Sequence, residues 1–283
     1  MNKFIHTIGF LTLCLLVGNN HAFDLGQLQD KVNSQLQAVP QVPKEVQAVV
    51  KEVQGPTQDE EVAIGRQIAG NLLGAAPLVK DAKLQKYVNQ IGMWVASQSE
   101  RPDLPWHFGI IQSDDVNAFA APGGYVFVTL GLYRLMQNEA DLAGVLGHEI
   151  GHVIRKHHLK ILQQSKLVEA GSQALSKQVS NDKVQQLIGS GAEIVARGLD
   201  KDAEFEADSI GVVLATRGGY DAYGLPNVLQ QIGHAAKDDN RVALLFKTHP
   251  QPEDRLAKLD DAMSDRFDRV KGQTLVKRFY RVK

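Results

Sequence analysis

The sequence predicts an α+β fold, mainly helical, with one small β-sheet. Three observations carry that expectation. Apolar residues recur at helical intervals, as at Leu142, Val145, Leu146, Ile150 and Val153. Two short runs, residues 106–112 and 125–130, alternate and are rich in β-branched and aromatic side chains, as strands are. A capping box, Thr57-Gln58-Asp59-Glu60, stands ahead of a periodic segment and marks a helix start.

Taken in order, residues 1–22 read as an export signal. Lys3 supplies the positive start, residues 8–17 an apolar core too short to span a bilayer, and Ala22 the last residue before cleavage. An uncleaved anchor or a lipid on Cys14 is the alternative, which would add peripheral membrane association. Cys14 is the single cysteine, so the mature chain has no disulfide framework. The expected destination is a bacterial periplasm. Residues 23–57 form a polar arm or linker containing Pro40, Pro43 and Pro56. The main domain runs over 58–270. It opens with a helix from the capping box to about Leu73, then a second over 82–99. His107 reads as an exposed strand histidine. Gly123-Gly124 supply a tight turn before the second strand. Residues 159–199 read as amphipathic helices, because charged and amide side chains interrupt every apolar run before the roughly 18 residues a span requires. His157 and His158 read as surface or C-terminal-turn histidines. Further helices start after Asp221 and cover 252–264, and the tail 271–283 alternates like an edge strand from 274 to 282.

The formal net charge is −1 over 283 residues, and no basic cluster is interleaved with aromatics, which argues against nucleic acid as a partner. The chemistry lies in His148-Glu149-Ile150-Gly151-His152, an HExxH sequence. On a helix the two imidazoles leave one face and can grip one zinc ion, while Glu149 sits roughly 100° round and can face a water. The competing view is a surface helix with two solvated histidines, but this helix is apolar on much of its surface and reads as buried. Catalytic zinc takes three protein ligands and an open position. With no cysteine in the mature chain, the third must be His, Glu or Asp. Glu204 is the best candidate, and Asp208, one turn on, can accept the second ring N–H of a ligand histidine. Glu206 reads as solvated.

HExxH followed by Glu204-Phe-Glu-Ala-Asp208 resembles the zinc metallopeptidase family that contains HtpX and the CAAX prenyl protease, in its soluble periplasmic branch. Residues 117–129, NAFAAPGGYVFVT, and Thr248-His249-Pro250 with Arg255 resemble further family motifs. Where relatives often carry Ser-Arg ahead of the acidic segment, this chain has Asp200-Lys201. Leu130 stands where relatives are often polar, a position expected to bear on substrate preference. The tetratricopeptide repeats of longer relatives do not follow. The resemblance implies a zincin-like domain with one zinc per chain, bound by His148, His152 and Glu204. Glu149 is then the general base, and His249 and Arg255 are candidates to stabilise the oxyanion. His249 could instead ligate zinc in a resting state. The edge strand borders the active-site cleft, and an extended substrate would add to it along 117–120, touching Asn117 and Ala118. The implied activity is zinc endopeptidase cleavage of unfolded or misfolded exported proteins, with outer-membrane assembly machinery as a further partner and no transmembrane span in the mature chain. A chaperone-like or binding factor with a closed zinc site is the alternative. A structural zinc domain is disfavoured, since only three ligands are evident.

Overall fold

The structure, a computed structural model, describes residues 55–163, 199–234 and 240–282. The elements below belong to one compact unit formed by Thr57–Leu159 and Val184–Lys283. The expected signal, nearly all of the arm and most of the stretch 159–199 lie outside the described residues. Among those described, no helix is long and apolar enough to cross a membrane.

Helix α1 (Gln58–Ala75) begins at the capping box: the Thr57 hydroxyl accepts from Glu60 N, and the Glu60 carboxylate accepts from Thr57 N at 3.0 Å. Helix α2 (Ala82–Ala96) starts where Asp81 Oδ1 accepts the N–H groups of Lys83 and Leu84, and buries Leu84, Val88, Ile91 and Val95 along one stripe. The sheet follows as β1 (His107–Ile111), β2 (Ala118–Ala121) and β3 (Tyr125–Thr129), in the order β1-β3-β2. β1 runs parallel to β3, and β2 antiparallel to it with Ala118 opposite Val128. The turn between β2 and β3 needs left-handed backbone, and Gly123 and Gly124 supply it at φ 74° and 101°. β2 is therefore a sheet edge, on the segment where an edge strand was expected.

After the short α3 (Leu130–Leu135), α4 (Glu139–Ile154) runs through the middle of the unit, and all its residues are buried. Its N-terminus is capped by the Asn138 side chain, which accepts from Asp141 N. α5 (Lys201–Arg217), α6 (Gly224–His234), α7 (Leu245–Thr248) and α8 (Pro252–Met263) complete the architecture. α4 touches α2, α5, α6 and β2. Burying one of its leucines, such as Leu146, stabilises the fold by about 1.5–3 kcal/mol.

α4 also crosses α5 closely, and two glycines set the approach. A Cβ on Gly147 would lie 2.7 Å from Gly211 O, and a Cβ on Gly211 would lie 2.7 Å from His148 N. The backbones thus meet one residue from the HExxH sequence. Alanine at either position would push the helices apart and move the α5 acids away from the α4 histidines.

One expectation is corrected here. The tail is not an edge strand: it makes a single bridge, Gln273 to Tyr220, then turns through Leu275 at φ 54°. The turn delivers Phe279 into the core, stacked on Tyr133 at 5.1 Å. A periodic pair such as Leu275 and Phe279 suits a turn as well as a strand. Leu130 is buried in the core.

Candidate metal centre

Four side chains from three helical segments converge. His148 and His152 come from α4, Glu204 from the first turn of α5, and His249 from the C-terminal end of α7, and one ligand atom of each lies within 4.8 Å of all the others. His148 Nε2 is 3.0 Å from His152 Nε2 and 3.8 Å from Glu204 Oε2. His152 Nε2 is 3.6 Å from Glu204 Oε1, and His249 Nε2 is 3.8 Å from Glu204 Oε2. Tetrahedral zinc with bonds near 2.0–2.1 Å places its ligand atoms about 3.3 Å apart, so these spacings bracket a zinc site.

Proton placement supports the same reading. His148 Nδ1 lies 2.8 Å from Asp208 Oδ1, an acceptor, so the ring carries its proton there. The Thr248 hydroxyl donates to the carbonyls of Leu244 and Leu245, and so accepts from His249 Nδ1 at 2.9 Å. Both rings then present an Nε2 lone pair to the centre. Beside His152 Nε2 these lone pairs can share one proton, held on His152, or a cation that all three nitrogens ligate.

Glu204 sharpens the point. Both its oxygens are buried and find no hydrogen-bond donor among the described residues. Burial pushes its carboxyl well above the ordinary value, against the pull of Arg255. A divalent cation reverses that preference by supplying the missing positive charge. Three imidazole nitrogens and one carboxylate suit zinc in particular. Burial likewise pushes Glu149 up, to about 8, while Arg255 opposes the shift. His148, His152 and His249 are all shifted down, first by burial, which favours the neutral, ligating form.

Each residue singled out from the sequence can now be placed. His148, His152 and Glu204 come together, with Asp208 against His148. His249 stands beside them, its Nε2 within the same group of four potential ligand atoms. Arg255 donates from Nε to Asp208 Oδ2 at 2.9 Å and from Nη2 to Asp208 Oδ1, and its Nη2 also lies 3.3 Å from His148 Nδ1. The guanidinium holds Asp208 well below the usual carboxylate range despite burial. Asp200 caps α5 by accepting from Ala203 N at 2.7 Å, and Lys201 pairs with Asp254, so the departure from Ser-Arg leaves the metal ligands untouched. Asn117 is fully buried; its Oδ1 accepts from Ala118 N, and its Nδ2 has no partner among the described residues. His107 is exposed on β1, as expected, and stacks on Tyr125.

His157 and His158 were expected at the surface or in the turn that ends the helix, and they follow α4 directly. His157 and His158 are buried, not at the surface. The chain leaves α4 through Lys156 at φ 57° and turns His157 back beneath the helix. His157 Nδ1 lies 2.9 Å from His152 Nδ1, and its Nε2 lies 3.3 Å from Glu206 Oε2. Glu206 is exposed, as expected, and pairs with Arg155, Nε to Oε1 at 2.9 Å. Two histidines just past the end of a metal-binding helix were the available signal.

Comparison with known proteins agrees with this geometry. Residues 82–263 match the model of peptidase family M48. The chain is 32% identical over 207 residues to the beta-barrel assembly-enhancing protease of Escherichia coli K12, covering 70% of this chain and 42% of that protein. It is 30% identical over 165 residues to metalloprotease YcaL of the same strain, covering 56% and 63%. It is 27% identical over 181 residues to mitochondrial metalloendopeptidase OMA1 of Schizosaccharomyces pombe, covering 62% and 52%. The chain thus spans less than half the length of the first of these relatives. A family match across most of the chain, laid over a buried His148–His152–Glu204–His249 cluster, places the chain in peptidase family M48.

Proposed function

We propose that this protein is a zinc-dependent endopeptidase that cleaves unfolded or misfolded exported proteins in the periplasm. The observation that carries this reading is the convergence of three histidine Nε2 atoms on a carboxylate with no hydrogen-bond donor among the described residues, next to the buried Glu149. His148, His152 and Glu204 would hold the ion. When bound, zinc supplies Lewis acidity, which acidifies a water and polarises a carbonyl. Glu149 takes a proton from the attacking water and passes it to the leaving amine. A raised pKa suits a group that must hold that proton between the two steps, and such transfer typically contributes about 10²–10⁴ in rate. Asp208, held ionised by Arg255, keeps His148 in the Nδ1–H tautomer.

The substrate would add as a strand to the edge presented by β2, with Ala118 at its start and the spare Nδ2 of Asn117 beneath it. Recognition through backbone favours extended polypeptide over any one sequence. Relatives named as an assembly-enhancing protease and as metalloendopeptidases support this substrate class. Outer-membrane assembly machinery as a partner, and export through a cleaved signal at residues 1–22, complete the proposal.

A second reading follows from His249. Its Nε2 stands within reach of the same centre, so it can fill the position a water needs and leave a closed, chaperone-like binding factor. Casein cleavage by wild type, Glu149→Gln and His249→Ala separates the two. The protease reading expects Glu149→Gln to retain zinc and lose all cleavage. No cleavage by any variant, with zinc bound, would favour the closed factor, and a cleaving Glu149→Gln would remove Glu149 as the base.

A further inference from the structure

His148 and His249 each have an oxygen acceptor at Nδ1, but His152 does not. Its Nδ1 faces another imidazole, His157, at 2.9 Å. One proton arrangement satisfies every atom if His152 is to offer Nε2 to a metal. His152 Nδ1–H donates to the Nδ1 lone pair of His157. His157 then carries its own proton on Nε2, and that nitrogen faces Glu206 Oε2 at 3.3 Å. Glu206 in turn pairs through Oε1 with Arg155. The opposite arrangement, with the proton on His157 Nδ1, would put a lone pair against the Glu206 carboxylate and a proton on the nitrogen of His152 that faces the centre.

We propose that His157 is a positioning residue: it fixes the tautomer and ring angle of His152 for metal binding and relays that constraint to the carboxylate of Glu206. This rests on the zinc reading above. His157 is buried and lies outside the HExxH sequence, and its position depends on the left-handed turn at Lys156. The effect is that of an acceptor orienting a ligand histidine, with an imidazole inserted between ligand and carboxylate.

The test is zinc affinity of the full chain, read by competition with a chromogenic chelator, for wild type, His157→Phe, His157→Asn and Glu206→Ala. Loss of an outer partner typically weakens a metal roughly 10–100-fold, and His157→Phe is expected in that range. His157→Asn restores an oxygen acceptor near the Nδ1 position and should recover most of the loss. Glu206→Ala acts one bond further out and should cost less than about 10-fold. Long-range proton–nitrogen spectra of the zinc-loaded wild type should show His152 protonated at Nδ1 and His157 at Nε2. A His157→Phe protein with wild-type affinity, or a folded His157→Asn no better than His157→Phe, overturns the proposal. Should His157→Phe fail to fold, Glu206→Ala decides, since its side chain is half exposed: no change in affinity or in the His157 proton assignment overturns the relay. Wild type that binds no zinc would sink this inference and the zinc reading together, whereas zinc-binding wild type with indifferent variants sinks this one alone.

Discussion

Two glutamates, each with a fully buried side chain, sit in the first turns of neighbouring helices and meet opposite fates. Glu139 opens α4 and Glu204 opens α5, so both enjoy the helix dipole. Glu139 is surrounded by donors. Its Oε2 accepts from Tyr87 at 3.0 Å and Arg278 Nε at 2.8 Å, and its Oε1 from Tyr220 at 2.9 Å and from Arg278 Nη2. Burial acts to raise its pKa, yet these donors outweigh it and hold the carboxyl below the ordinary value. Glu204 has no such donor, and burial drives it the other way. The dipole is shared, but Glu139 lines an open cavity while Glu204 is more deeply enclosed, so the donors of Glu139 act against a smaller burial cost. A buried carboxylate with its donors supplied is structure. One left bare beside three imidazoles marks the place of a cation.

Glu204→Gln should produce the largest effect. It removes a ligand outright, so zinc affinity should fall by more than the roughly 100-fold that loss of an outer partner can cost. Stability of the metal-free protein should stay level or rise, because the change removes a buried ionisable group that has no donor. Elemental analysis after dialysis and urea unfolding without metal read the two halves. Full zinc retention, or a large loss of metal-free stability, would make Glu204 a second Glu139 and erase the contrast.

Glu139→Gln should do the reverse. Hydrogen bonds to a charged acceptor contribute about 1.5–3 kcal/mol, and an amide cannot accept all four, so unfolding free energy should drop by about 2–3 kcal/mol with zinc content unchanged. The sign with pH follows from the depressed pKa. The contribution is fully present above the unfolded glutamate value of about 4.3 and is lost as pH falls through the lower folded value. The gap between wild type and Glu139→Gln should therefore be constant near neutrality and close below about pH 4. Urea midpoints across that range check it, and a gap that widens in acid would mean that the group is not held ionised.

How much of this contrast could be read in advance depends on distance along the chain. The HExxH spacing and the acids of α5 are local patterns, and each places its own residues on one helix face. The α4–α5 crossing that joins them rests on Gly147 and Gly211, small residues that carry no motif of their own. β1, β3 and the helix starts were legible because alternation and caps are local physics. His157 looked like a surface histidine because its burial depends on a turn at Lys156 and on Glu206, nearly fifty residues on. For Arg255 the motif gave a neighbourhood, near the centre, but not a hydrogen bond. Its partner, Asp208, follows only from the packing of α8 on α5. The donors of Glu139 were invisible for the same reason, since Tyr87, Tyr220 and Arg278 come from three separate parts of the chain.

The smallest expected effect refines the comparison by asking which of those donors matter. Arg278 touches both oxygens of Glu139, which makes it look dominant, but its side chain is 61% exposed. Water competes for the guanidinium and screens its charge, so Arg278→Ala should cost no more than about 1 kcal/mol. Tyr220 and Tyr87 would remain to hold the carboxylate, and water can enter from the side the arginine leaves. If urea unfolding instead shows a loss as large as that of Glu139→Gln, the charge pair and not the tyrosine hydroxyls satisfies Glu139. The lesson for Glu204 would then narrow: a buried carboxylate in this fold would need a full positive charge, from the tail's Arg278 for the α4 carboxylate and from a metal for the α5 one.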